Sequence, residues 1–334
     1  MKAKQRTLAV LVVLAVLLGG ALWAVNRTKT VLEEAADAAS EGSIPLAAVS
    51  ASNLTQIQVT YNGETNTLDY ADNSWTLAED PAYHLDDTAC NTMLTALGSM
   101  NAGRTLEAQP GEDYGFAEPY LTVAFTAAGE AHTLTFGAEN TVTGDRYVKL
   151  DGADTIYTVS ASKVSCFAQS KAELFGSFNP AGITASSIQS LTETFMDGSS
   201  LSLTAVSEPA EAAEETNGES SSDSTAYETV WRFPGEPDAD LDQDKVQSLL
   251  SALGTYVYAQ VTGADPADYG FAKPLATVQV TTDAGTTAVT YAAGTYAAGT
   301  DGYYLMVEGD DSIYAVDGNT MAALMTSAED LKAE

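Results

Sequence analysis

The stretch "DADLDQD", residues 238–244, places Asp238, Asp240, Asp242 and Asp244 at every second position. Carboxylates so spaced open the calcium loop of an EF-hand, which then needs a glycine at its sixth position and a glutamate at its twelfth. Those positions hold Gln243 and Leu249. Asp242 also stands where a helix would begin, and a carboxylate there is drawn to the first free backbone N–H groups. The four aspartates are an incomplete metal candidate. The two histidines, His84 and His132, read as loop or strand-end residues rather than as parts of a Ser-His-Asp triad. Cys90 and Cys166 make no disulfide framework. They read as small buried hydrophobes, with one bridge in an oxidising compartment as the other reading. The chain lacks G-x-x-x-x-G-K-[ST], H-E-x-x-H and G-x-S-x-G, so it does not read as an ATPase, a zinc protease or a serine hydrolase. It is expected to be no enzyme and to need no cofactor.

The elements that hold these residues are written twice. "DYGFAEP" at 113–119 returns as "DYGFAKP" at 268–274, and "WTLAEDPAYHLDDTACNTMLTALG" from Trp75 aligns without gaps on "WRFPGEPDADLDQDKVQSLLSALG" from Trp231. "YVKLDGADTIYTV" (147–159) matches "YLMVEGDDSIYAV" (304–316), and "VSASNLTQIQVTY" (49–61) matches "ITASSIQSLTETF" (183–195). Self-similarity at a fixed spacing marks two copies of one unit. In each copy an Asp N-cap, Asp86 or Asp242, precedes an apolar stripe at helical spacing, and Gly98 or Gly254 ends it. Alternating residues such as Ile57, Val59 and Tyr61 predict half-buried strands before the helix, and Leu121, Val123 and Phe125 predict more after it. A second helix is expected to close each unit, over 160–175 and 317–332.

This reads as an α+β protein of two tandem units, each mainly antiparallel sheet with one or two helices. The repeated heptapeptide is a joint between helix and strand. Gly115 and Gly270 supply a backbone conformation that other residues resist, Pro119 and Pro274 close the joint ahead of a strand, and Tyr114, Phe116, Tyr269 and Phe271 can anchor it. Unit one is expected over 46–176 and unit two over 177–334. An extra segment inside unit two, 207–229, carries seven acids and no base and is expected to be a disordered loop.

Leu8 to Val25 runs for eighteen residues without a charge. As a helix it would rise about 27 Å, close to the hydrocarbon thickness of a bilayer. Basic residues ahead of it favour a cytoplasmic N-terminus with the remainder outside. The competing reading, a cleaved signal peptide, is weakened by the bulky Leu22 and Trp23 in "ALWAVN". The expectation is a membrane anchor over 1–30, with its helix at about 8–25, then a polar tether over 31–45. The chain carries 14 Lys+Arg against 46 Asp+Glu, a formal charge of −32. Five of the basic residues fall in the first thirty positions, so the rest repels phosphate backbones. Nucleic acid is not expected as a partner.

Taken together, Trp75, the segment "DPAYHLDDTACNTMLTALG", "DYGFAEP" and "GDRYVKLDGADTIYTV", with their second copies, resemble the bacterial family catalogued as domain of unknown function 4340. The resemblance runs from about Val49 to Val316. It implies an N-terminal membrane helix, an extracytoplasmic repeat and an accessory role beside transport machinery of the ABC type, including components akin to gliding-motility exporters. It brings no catalytic residues. The functional expectation is a membrane-anchored accessory or scaffold whose partner is an ABC permease or related subunit. The alternative is a binding module for a cell-envelope glycan or peptide.

Overall fold

Period-two burial builds the sheets. Along "LTQIQVTY" the side chains of Leu54, Ile57 and Val59 are buried while their neighbours face outward, as one covered face of a pleated sheet requires. The computed structural model describes residues 44–47, 49–209, 227–295 and 301–333. The expected anchor at 8–25 lies outside them. Among the described residues no helix is long and apolar enough to cross a membrane. The chain divides into two compact units that meet at Gly176 and Ser177.

Unit one runs β1 (Ile44–Pro45), β2 (Leu54–Tyr61), β3 (Glu64–Ala71), β4 (Ser74–Leu77), α1 (Asp87–Gly98), β5 (Asn101–Ala102), β6 (Arg104–Leu106), β7 (Leu121–Ala127), β8 (Glu130–Glu139), β9 (Asp145–Leu150), β10 (Ile156–Ser160) and α2 (Ala161–Val164). Eight strands form one antiparallel sheet in the order β4-β3-β2-β7-β8-β9-β10-β6. Unit two follows with β11 (Ile188–Phe195), β12 (Ser200–Pro209), β13 (Tyr227–Arg232), α3 (Gln243–Leu253), β14 (Ala259–Val261), β15 (Ala276–Thr282), β16 (Gly285–Thr295), β17 (Asp301–Val307), β18 (Ile313–Val316) and α4 (Gly318–Leu324). Its sheet order, β13-β12-β11-β15-β16-β17-β18-β14, is that of unit one strand for strand. The duplicated sequence therefore folds into a duplicated topology. In both copies the strand after the joint, β7 or β15, inserts beside the first long strand, β2 or β11.

Helix α1 starts where its cap is. Asp86 accepts hydrogen bonds from the N–H groups of Thr88 (2.8 Å) and Ala89 (3.2 Å), and Cys90, Met93 and Leu97 point into the core. Asp242 does the same for Asp244 and Lys245, both at 3.1 Å, and Val246, Leu249, Leu250 and Leu253 are buried. Losing such a cap costs about 1 kcal/mol. Asp86→Ala is accordingly expected to lower unit-one stability by roughly that amount in urea unfolding, while Asp87→Ala, outside the cap, changes it by less than half as much.

Several expectations need correction. Gly254 caps α3 as expected, at φ −91°, whereas Gly98 is the last helical residue of α1 and Ser99 is its cap. Both glycines are small because a Cβ at Gly98 would lie 2.8 Å from the Val49 carbonyl oxygen, and one at Gly254 2.7 Å from that of Ile183. The closing helices are shorter than expected. Residues 160–175 split into α2 and two short 3-10 turns, and of residues 317–332 only 318–324 is helical. The reason is tertiary: Leu174 O must accept from Asp86 N (2.8 Å) and Leu331 O from Asp242 N (2.9 Å). Those bonds turn the closing segment back onto the start of the main helix. The tether at 31–45 ends early, because Ile44 is buried and pairs with Ala102. The acidic insertion is ordered at both ends, where Ser207, Glu208 and Pro209 pair with Thr229, Glu228 and Tyr227. Strand pairing uses backbone groups, so polar side chains do not prevent it. The rest of that insertion, 210–226, lies outside the described residues.

Candidate functional site

The repeated joint is built alike in both units. Gly115 has φ +76° and Gly270 φ +90°, a region where a side chain meets the backbone. A Cβ on Gly115 would come within 2.5 Å of Ala138 N, and one on Gly270 would overlap the carbonyl of Ala293. The loop is thus laid against β8 or β16. Ala138 N donates to Tyr114 O at 2.8 Å. Tyr114 stands edge-on to Tyr147 at 5.0 Å, and Tyr269 stands edge-on to Tyr304 at 5.2 Å. Phe116 lies under the Lys149 ammonium at 4.9 Å. In unit two Tyr269 is buried and Phe271 packs beside it with Ile313 and Ala315. Pro119 and Pro274 each stand two positions before the first residue of β7 and β15. Trp75 stacks on Tyr70 at 4.5 Å and donates to Asn91; Trp231 is buried, and its N–H donates to Gln243 at 2.9 Å. The repeated residues are engaged by neighbours within their own unit.

The four aspartates of 238–244 are drawn apart. Asp242 caps α3, and Lys245 Nζ lies 3.6 Å from its other oxygen. Asp240 sits 3.9 Å from Arg232, while Asp238 and Asp244 are exposed. Arg232 grips Glu208 with two bonds, at 3.1 and 2.9 Å, which holds that carboxyl below its usual range. Among the described residues no three His, Cys, Asp or Glu side chains gather as a metal site.

A groove of about 470 Å³ in unit one is lined by Thr88, Asn91, Thr95, Ser99, Lys163 and Cys166, among others. Its polar groups are already engaged. Thr95 and Ser99 donate into the carbonyls of α1, and Lys163 Nζ donates to Ser99 O at 2.8 Å. Burial pushes the Cys166 thiol up to about 11 and the Cys90 thiol up to about 12, with Asp87 and Asp86 adding to the rise. Neither is a thiolate at neutral pH, and both are free. His84 is exposed. His132 is buried, with Nδ1 3.1 Å from Asp151, whose other oxygen accepts from Thr133 N. That arrangement ties β8 to the turn after β9.

Sequence reading missed one polar pair in unit two. Glu193 on β11 is fully buried and Tyr291 on β16 is buried near it. In the self-alignment Glu193 falls on Val59 and Tyr291 on Phe136, so an acid at an apolar strand position was the signal available.

Comparison with known proteins agrees with the duplication. The model of a family described as a domain of unknown function matches residues 75–230 and 231–334. Both segments begin at the paired tryptophans, so the first takes in β11, β12 and the first part of β13, whereas the folded units divide after Gly176. No curated protein and no solved structure matches the chain. Two consecutive matched segments covering most of the chain place it in that family: the chain belongs to Domain of unknown function (DUF4340).

Proposed function

We propose that this chain is a membrane-anchored accessory or scaffold protein, held by the segment Leu8–Val25, with both folded units outside the cytoplasm beside an ABC-type transport system. The observation that carries the reading is where the repeated motif residues go. Trp75, Gly98, Tyr114 and Gly115, with their counterparts in unit two, are taken up by packing within each unit. What the units offer a partner is therefore outer surface, and that surface is strongly acidic. Contacts to other proteins suit such a surface; nucleic acid and anionic headgroups do not. The topology is tested by protease treatment of intact spheroplasts. Cleavage of both units from outside is expected, and full protection until the membrane is lysed would overturn the proposal.

One observation favours the second reading, a binding module for an envelope glycan or peptide. Tyr256 and Tyr258 are 67% and 58% exposed, just ahead of edge strand β14, where unit one has Asn101 and Gly103. Exposed tyrosines present flat apolar faces with a polar tip. Saturable binding of an envelope glycan that Tyr256→Ala and Tyr258→Ala abolish together would favour this reading over the first.

A further inference from the structure

The two units share a topology but not a core. In unit one Val59 and Phe136 fill their places in the sheet and are buried among apolar neighbours. Unit two sets Glu193 and Tyr291 at the same places. Glu193 is 0% exposed and Tyr291 0% exposed. Among the described residues, neither the two carboxyl oxygens nor the phenol oxygen has a hydrogen-bond partner. A carboxyl so placed is tolerable when protonated and very costly when charged.

The surroundings offer it no counter-charge. The cross-strand neighbours of Glu193 on the same face are Leu201 of β12 and Val278 of β15, with Val289 of β16 and Val307 of β17 continuing the row. Helix α3 presents Val246, Leu249, Leu250 and Leu253 as its buried residues. Among the described residues the titratable group near Glu193 is Tyr291, whose phenol is itself driven above its ordinary range by burial first and by Glu193 second, so it stays neutral. No lysine, arginine or histidine faces the carboxyl from any of these elements.

We propose that Glu193 is an ionisation-sensitive catch in the core of unit two: protonated, it lets the sheet close, and ionised, it opens unit two while unit one stays shut. Burial raises the carboxyl from 4.5 to about 8, which supports the same conclusion. The sign follows from proton counts. Between about 4.5 and about 8 the opened unit binds fewer protons than the closed one, so closure weakens as pH rises, up to tenfold per pH unit. Above about 8 the loss is complete, and below about 4.5 it is absent. Unit two contains no histidine and no cysteine, since His84, His132, Cys90 and Cys166 all belong to unit one. A pH response of unit two in that window therefore has one assigned source.

Hydrogen exchange read by mass spectrometry on the full-length chain tests this, at about pH 5.5 and about pH 7.5 and corrected for the intrinsic pH dependence of exchange. In the wild type, opening of peptides from β11, β15 and β16 is expected to increase by about 100-fold over that interval. Glu193→Gln keeps the shape and cannot ionise; Glu193→Val restores the residue of unit one. Both are expected to flatten the unit-two response, whatever their absolute stability, and to leave peptides from β2, β7 and β8 unchanged. Parallel pH responses of unit two in the wild type and both variants would overturn the proposal. So would an equal response in unit one that Glu193→Gln removes.

Discussion

Gly270→Ala is expected to unfold unit two at conditions where unit one survives. Two costs combine at this position. An alanine at φ +90° meets the left-handed penalty of about 1–2 kcal/mol. Its Cβ would also overlap the Ala293 carbonyl on β16. That neighbour is backbone inside a paired strand and cannot swing aside as a flexible side chain could. Overpacking of that kind costs about 1–3 kcal/mol more. The sum, about 2–5 kcal/mol, is a large part of the stability of a domain this size. Gly115→Ala should reproduce the loss in unit one, where the Cβ meets Ala138 N at 2.5 Å. Urea unfolding followed by tryptophan emission separates the units when Trp75 and Trp231 are replaced by Phe in turn, since each lies in one unit and the third tryptophan, Trp23, precedes both. A Gly270→Ala shift under about 0.5 kcal/mol, the range of an ordinary surface substitution, would contradict the description of the joint.

Glu193→Val is expected to do the opposite, and by an amount that depends on pH. Each unit of pKa displacement corresponds to about 1.4 kcal/mol between the two protonation states. Glu193, raised from 4.5 to about 8, thus weakens unit two by up to about 5 kcal/mol once the pH passes about 8. The displacement is upward for an acid, so the cost grows with pH and vanishes below about 4.5. Valine removes the charge and leaves a slightly smaller side chain, a change worth about 1 kcal/mol in the other direction. Urea unfolding at about pH 8.5 should therefore show unit two of Glu193→Val stabler by about 3–4 kcal/mol, with the advantage gone near pH 4.5. A difference that stays constant between those pH values would mean that Glu193 ionises freely in the folded chain.

The features legible in the sequence are those that local chemistry decides. Asp86 and Asp242 announce helix starts because a carboxylate at that place has unsatisfied N–H groups to bind. The Cys90, Met93, Leu97 spacing marks the buried stripe, and the repeated phrases mark the duplication. What local patterns do not carry is contact at a distance. The reason for glycine at Gly98 is the carbonyl of Val49, nearly fifty residues earlier, and no spacing rule contains it. The closing segments looked helical by composition, but the bonds from Asp86 N and Asp242 N to Leu174 and Leu331 require the chain to turn. The aspartates of 238–244 alternate as ligands would, yet Asp242 is committed to α3 and Asp240 leans toward Arg232. Glu193 could have been found by comparing the copies, where one acid replaces a valine on the covered face of the strand.

The two units are proposed to act through contact with membrane transport proteins. The most direct test is to cross-link the full-length protein in intact membranes of its native cells and identify what co-purifies by mass spectrometry. Recovery of ABC permease and ATPase subunits is expected, together with their loss when the folded units are deleted behind an unchanged anchor. Recovery of the protein alone, under conditions that capture known membrane complexes, would contradict it.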